Sequence, residues 1–370
     1  MFGYEILDLK TKRGLPFFYN KRKVNQIAQE IEDLLEDEEY LNSYNLTKKM
    51  LFFLEIKTNN AIEDIIDNLE DIENIILKRK NATVEERQRI INVFKGYKYI
   101  LSKKEINKEN LRILYQILSH KQLDDYSKEN MGDYYRNDDV YILRGGIDMF
   151  SMSFDKGIDV EKINSSMKNL LSFLKSDDGN NRMIDYYIKS QIIHFYFVYI
   201  HPYYDVNGRC ARTLSLWYLL NNKAYPFTIF NRGISLDKVT YKNNIRKACH
   251  GDLTPFLEFV LKTVKKELEK EAVIYNIKEN SQIKLTHEDY EMLEYVFTSK
   301  DQTLDEVYSL FCKMNGNKLD KEIWVHRIMP LIEKGIIIFD ERNNKIIINK
   351  ELITLSDDKV KKLSMDKYLI

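Results

Sequence analysis

The amino-acid sequence predicts a mainly α-helical protein, and three observations carry that expectation. Glycine and proline number only 13 and 5 in 370 residues, so the chain has few breakers. Apolar residues recur at helical spacing through long segments, as at Ile27, Ile31, Leu34 and Leu35. Strand-like runs are short, the clearest being Val140–Leu143 and the Ile-rich stretches near 336 and 346.

A chain of this length holds two or three domains with room for a substantial core. Charged residues make up 31% but sum to zero, which argues against a protein that coats nucleic acid and leaves only a local basic patch open. Cys210, Cys249 and Cys312 are scattered, show no metal-ligand spacing and fit a reduced, cytoplasmic setting. The first residues lack the apolar core of a signal peptide, and no run approaches the length of a membrane span.

Taken in order, residues 1–20 read as a short extended segment turning at Gly14-Leu15-Pro16 before Phe17, Phe18 and Tyr19. Val24 to Leu54 reads as two helices broken around Asn42-Ser43. Thr58 or Asn59 can cap a helix running on through Ile65, Ile66 and Leu69, which puts Glu63 in its first turn, where the dipole favours a carboxylate. Leu77–Ser102 and Asn107–Gln122 are helical, the latter capped by Asn107. Gly132-Asp133-Tyr134-Tyr135-Arg136 leads to the strand Val140–Leu143, ended by Gly145 and Gly146, and reads as a hairpin between helices. Ile158–Leu174 is an amphipathic helix, Asp177–Asn180 a turn, and Met183–Ile200 an apolar helix. Phe256–Val264 closes the domain, and a charged connecting helix follows Lys265.

The last segment has its own pattern. Thr286 opens a helix to Phe297, and a capping box at Thr303–Glu306 opens a second. A third spans 318–334, kinked or broken near Pro330, and a hairpin joins Ile336–Phe339 to Ile346–Ile348. Three helices and a hairpin suggest a winged-helix-like domain. DNA binding would use Lys318, Lys321, His326 and Arg327; the interleaved Asp320, Glu322 and Glu333 leave a protein-contact or dimerisation module as the alternative.

The chemistry is concentrated in His201–Arg212, between the apolar run Ile192–Ile200 and a helix-like segment. Polar groups at the edge of a core are costly unless paired or kept for a ligand. A helix beginning near Asn207 points unpaired amides and its positive end outward. Arg209 and Arg212, three apart, share a face, so the set describes a polyphosphate site. Asp205 could hold Mg²⁺ on those phosphates, and His201 could take a proton from a nucleophile.

These residues resemble the Fic family motif HxFx(D/E)GNGRxxR. His201, Asp205, Asn207, Gly208, Arg209 and Arg212 match, while Tyr203 stands where Phe is usual and Val206 where the motif has Gly. The resemblance covers roughly 50–265 and implies a Fic-fold helical bundle, with the hairpin near 135–146 as a flap that registers the target by backbone pairing. It implies transfer of AMP from ATP to a Ser, Thr or Tyr hydroxyl of a target protein, self-modification and a homodimer included. In that chemistry His201 is the base, Asp205 holds Mg²⁺, Asn207 and the amides around Gly208 receive the α-phosphate, and Arg209 and Arg212 take the outer phosphates. Ile234, Ser235 and Tyr241 resemble a family segment beside the nucleotide. Asn59–Asp64 resembles the family's inhibitory helix, (S/T)xxxE(G/N), whose glutamate, here Glu63, pairs with the second motif arginine, here Arg212.

The alternatives are removal of AMP by the same site, with Glu63 positioning water, and a DNA-binding regulator with a decayed site. The expected domains are 1–105, with the inhibitory helix at about 58–70; the Fic core at 106–265; a connector at 266–285; the winged-helix-like domain at 286–350; and a tail at 351–370. Val206 is expected to keep an ordinary backbone conformation, with activity retained.

Overall fold

The structure is a computed structural model that describes residues 3–35, 48–65, 69–77, 84–103, 105–144, 153–176, 179, 182–281, 285–299, 303–315 and 320–349. It divides into two compact units, Met1–Gln29 with Asn74–Lys262, and Glu30–Glu73 with Thr263–Ile370.

The first unit is built around two helices, α8 (Met183–Ile200) and α9 (Asn207–Asn221), which pack along each other. Almost every side chain of α8 is buried, as a helix that is apolar all round requires. Its few polar groups are therefore paired: the Ser215 hydroxyl of α9 donates to the Ser190 carbonyl at 3.1 Å. Helices α4 (Val84–Ser102), α5 (Lys108–Leu118) and α7 (Val160–Lys175) pack around this pair. Asn107 caps α5 as expected, its Oδ1 accepting from the Asn110 amide at 2.8 Å.

The N-terminal residues form a hairpin of β1 (Tyr4–Lys10) and β2 (Pro16–Asn20). Phe17 is wholly buried and meets Phe195, Tyr196 and Tyr199 of α8 edge-on, at centroid distances of 5.4, 5.8 and 5.1 Å. The second hairpin pairs β3 (Tyr141–Arg144) with β4 (Ser153–Lys156), so the return strand lies beyond the stretch at 135–146. Gly145, Gly146 and the turn at Asp177-Asp178 lie outside the described residues, as do Asn42, Ser43 and the tail at 351–370.

In the second unit α2 (Lys48–Ile62) corrects the expectation of a helix capped at Thr58 or Asn59. The helix runs through both and ends at Ile62. Thr58 spends its hydroxyl on the Leu54 and Glu55 carbonyls, at 2.9 and 3.2 Å, a back-bond that keeps threonine inside a helix. Asn59 and Asn60 are buried. Glu63 is therefore exposed in the closing turn, not in a first turn, and Asp64 follows with a left-handed φ of 62°.

The charged run after Lys265 belongs to a long helix, α12 (Thr254–Ser281), and is not solvated throughout. Lys270 is buried between Glu267 and Glu294, at 2.6 and 3.0 Å. Beyond it come α13 (His287–Thr298), α14 (Leu304–Asn315), α15 (Lys321–Glu333) and the antiparallel strands β5 (Ile337–Asp340) and β6 (Lys345–Ile348). Helix α15 is unbroken at Pro330, which lies in its last turn where one lost backbone bond is tolerated. Its exposed face carries Lys321, Glu322, Ile323, Val325, His326, Met329 and Glu333. Arg327 is paired with Glu288, and Lys318 lies outside the described residues. Among the described residues, no helix is long and apolar enough to cross a membrane.

The Phe17 cluster makes a measurable claim on stability. Phe17→Ala should cost about 3–5 kcal/mol in urea unfolding with an unchanged m-value, as expected for a cavity in a packed core.

Candidate functional site

Helix α8 stops at His201, which takes a left-handed conformation (φ 53°, ψ 60°) while its amide still donates to the Phe197 carbonyl at 3.0 Å. The ring Nδ1 lies 3.3 Å from the Val198 carbonyl, which can only accept, so Nδ1 is the donor of that contact. The His201 carbonyl is in turn held by Arg136, whose Nε donates to it at 2.8 Å. Arg136 is only 1% exposed, and the rest of its guanidinium donates to the Asp138 and Ile158 carbonyls, both at 2.5 Å. Its amide donates to the Pro202 carbonyl at 3.0 Å. Burial pulls the guanidinium pKa down, and these carbonyl dipoles offset the loss of water. A Cβ on Gly157 would stand 2.8 Å from Nη2, so glycine is what lets the guanidinium in.

The turn after His201 is locked by one side chain. Asn207 Oδ1 accepts from the Tyr203 amide at 3.0 Å, and Asn207 Nδ2 donates to the Tyr203 carbonyl at 2.8 Å. The Tyr203 ring stacks on Tyr115 at 3.8 Å, and the Arg112 guanidinium lies 5.4 Å from the centre of the Tyr115 ring. The buried Tyr203 hydroxyl meets no partner among the described residues, and burial holds its pKa well above the usual range. The ring thus acts here much as phenylalanine would.

Asp205 is exposed, and its Oδ1 accepts from the Val206 amide at 2.6 Å. Val206 is buried with φ 65° and ψ 10°, which overturns the expectation of an ordinary backbone there. The left-handed turn lets its carbonyl receive the Cys210 amide at 2.9 Å and so start α9 at Asn207. A β-branched residue in this conformation costs roughly 1–2 kcal/mol that glycine would not.

Arg209 and Arg212 are both buried on α9. Arg209 Nη1 donates to Gln122 Oε1 at 2.6 Å. Near Arg212 lies His194, wholly buried, whose Nε2 accepts from the Tyr241 hydroxyl at 2.8 Å. Burial first, and the Arg212 charge second, push the His194 pKa down to about 3. The imidazole is neutral, with Nδ1 turned to Gln191 Oε1 at 3.4 Å. Ser235 donates to the Arg232 carbonyl at 2.6 Å, so its hydroxyl serves its own short helix, α10 (Phe230–Leu236). Burial also pushes the Cys210 thiol well up, so it is no nucleophile.

His201, Asp205, Asn207, Gly208, Arg209 and Arg212 thus occupy one turn and the first two turns of α9, in the first unit. Glu63 belongs to the second unit, at the end of α2. Gln122 and His194 were not visible as site residues in the sequence. Gln122 sits in a polar turn like many others, and a lone histidine in an apolar helix reads as core.

Residues 105–219 match the Fic/DOC family model. The protein adenylyltransferase Fic of Nematostella vectensis is 25% identical over 271 residues, covering 70% of this chain. The chain spans 58% of the length of that relative. A Fic family protein from Desulfovibrio desulfuricans G20 superposes with a TM-score of 0.58 at 20% identity, over 85% of this chain and 90% of that one. Residues 134–508 of Fic-1 from C. elegans give a TM-score of 0.50 at 16% identity, over 68% and 71%. With the motif at the α8–α9 junction, these findings show a Fic domain at residues 105–219 and the mainly-α Fic fold.

Two measurements test this geometry. The unfolded chain binds a proton at His194 below about pH 6.5 and the folded one only near pH 3, so stability should fall as pH drops through that window. His194→Gln should flatten the decline in pH-dependent urea titrations. At Val206 both small substitutions lose the same side chain beyond Cβ. Val206→Gly should nevertheless be more stable than Val206→Ala by about 1 kcal/mol in thermal unfolding, the reverse of the usual order.

Proposed function

We propose that this protein is an adenylyltransferase that moves AMP from ATP to a hydroxyl side chain of a target protein. The observation that most supports this is the α8–α9 junction: an imidazole held through Nδ1 by a backbone carbonyl, then a helix N-terminus, then two buried guanidiniums. The Nematostella vectensis relative carries that activity in its name.

In this reading His201 Nε2 takes the proton as the hydroxyl oxygen bonds to the α-phosphorus. The α–β phosphoanhydride bond breaks and pyrophosphate leaves. The amides at the start of α9 receive charge on the α-phosphate, and Arg209 and Arg212 neutralise the outer phosphates. Asp205, a lone exposed carboxylate, suits Mg²⁺ shared with those phosphates. Among the described residues, no group of three or more His, Cys, Asp or Glu could hold a metal without them. Bound there, the ion would supply charge neutralisation.

Glu63 is proposed to restrain ATP use by competing for Arg212. Support comes from the likeness of its segment to the inhibitory helix and from the left-handed Asp64, where that pattern has Gly or Asn. We read 286–350 as winged-helix-like. The exposed face of α15, with Ile323, Val325 and Met329 and with Glu322 and Glu333 offsetting Lys321, suits a protein contact, a second copy included, better than DNA. A cytoplasmic setting fits the three free cysteines.

The test is incubation of wild-type, His201→Ala and Glu63→Gly proteins in cell lysate with Mg²⁺ and ATP labelled at the α-phosphate. Wild type should label protein, His201→Ala should lose about 10²–10⁴-fold, and Glu63→Gly should gain. Absence of α-label with all three would sink the proposal. Loss of AMP removal from a labelled protein in Glu63→Gly, with no gain in transfer, would favour the reverse reaction.

A further inference from the structure

A cleft of about 390 Å³ in the first unit is lined by Lys108, Tyr135, Asn164, Lys168, Leu171, Ser172 and Lys175. Three lysines converge on it, and among the described residues no carboxylate lines it. Asn164, Lys168, Leu171, Ser172 and Lys175 follow helical spacing on one face of α7, and Lys108 is the first residue of α5, so the positive end of that helix borders the cleft. Lys108 is positioned rather than loose: its Nζ lies 3.8 Å from the centre of the Tyr134 ring and 3.4 Å from Asn164 Oδ1. The nearest acidic groups along the two helices are Glu109, which accepts from the Tyr134 hydroxyl at 3.4 Å, and Glu161, one turn before Asn164.

The wall of this cleft is shared with the candidate active site. Tyr135 lines it, and its neighbour Arg136 holds the His201 and Pro202 carbonyls. The cleft therefore borders the short segment whose arginine holds the His201 carbonyl.

We propose that the cleft binds an acidic peptide segment of the protein that is to be modified. The volume accommodates a few side chains of an extended segment. Nucleic acid is the weaker candidate, because Tyr135 is buried and Lys108 covers Tyr134, so neither ring offers an open face for base stacking. The binding claim stands apart from the transferase reading; only the assignment of the peptide to the modified protein rests on it.

The test uses the full chain without nucleotide, so its failure and that of AMP transfer are read separately. Fluorescence anisotropy would follow fluorescein-labelled hexaglutamate, hexaglutamine and an oligothymidylate. Hexaglutamate should bind and hexaglutamine should not. Lys168→Glu/Lys175→Glu should weaken hexaglutamate roughly tenfold, whereas the charge-matched control Lys247→Glu/Lys262→Glu should not. All four lysines are exposed, so neither variant disturbs the core, and circular dichroism would verify folding. Equal weakening by both variants, equal affinity for the two peptides, or tighter binding of the oligothymidylate through the cleft lysines would overturn the proposal.

Discussion

The contact on which the site depends is the grip of Arg136 on the carbonyl of His201. Helix α8 is apolar on every face and must end inside the protein, so its last carbonyls have little water to turn to. A guanidinium with several donors in a fixed plane can satisfy carbonyls from three separate segments at once. Arg136 does so for residues 138, 158 and 201, and in the same act sets the direction in which the imidazole leaves the helix.

From that point the polar groups fall into two sets with opposite demands. One is spent on architecture: Asn207 closes its own turn, Gln122 engages Arg209, and Tyr241 meets His194. The other stays near solvent, with Asp205 exposed at the head of α9 and the ring of His201 half-buried. Such a division pre-organises the candidate site, because the groups left near solvent are fixed by groups that are not. Neutral His194 fits the same arrangement, since a second buried cation beside Arg212 would repel its guanidinium.

Much of the fold and the centre of the site was legible in the sequence because it follows from periodicity and from one dense motif. Met183–Ile200 and the helix start at Asn207 lie where apolar pattern and turn chemistry put them. Residues whose roles come from distant contacts were harder to see. Nothing local distinguishes Gln122 or Gly157 from other polar and small residues, and their partners are far along the chain. At Thr58 the local rule misled: a residue that caps helices also tolerates their interiors when its hydroxyl bonds back to the preceding turn. Val206 failed differently, because its side chain favours one backbone and the junction imposes another.

The packing of Gly157 against Arg136 also limits how this protein could be re-engineered. The Gly157 amide donates to the Val140 carbonyl at 2.9 Å, so the base of the second hairpin is stitched to the guanidinium that supports His201. A graft that swaps the whole hairpin for another sequence would cut through that stitch. One confined to residues between Val140 and Gly157 leaves it intact. The boundary of the exchangeable module is thus set by an arginine outside the hairpin itself.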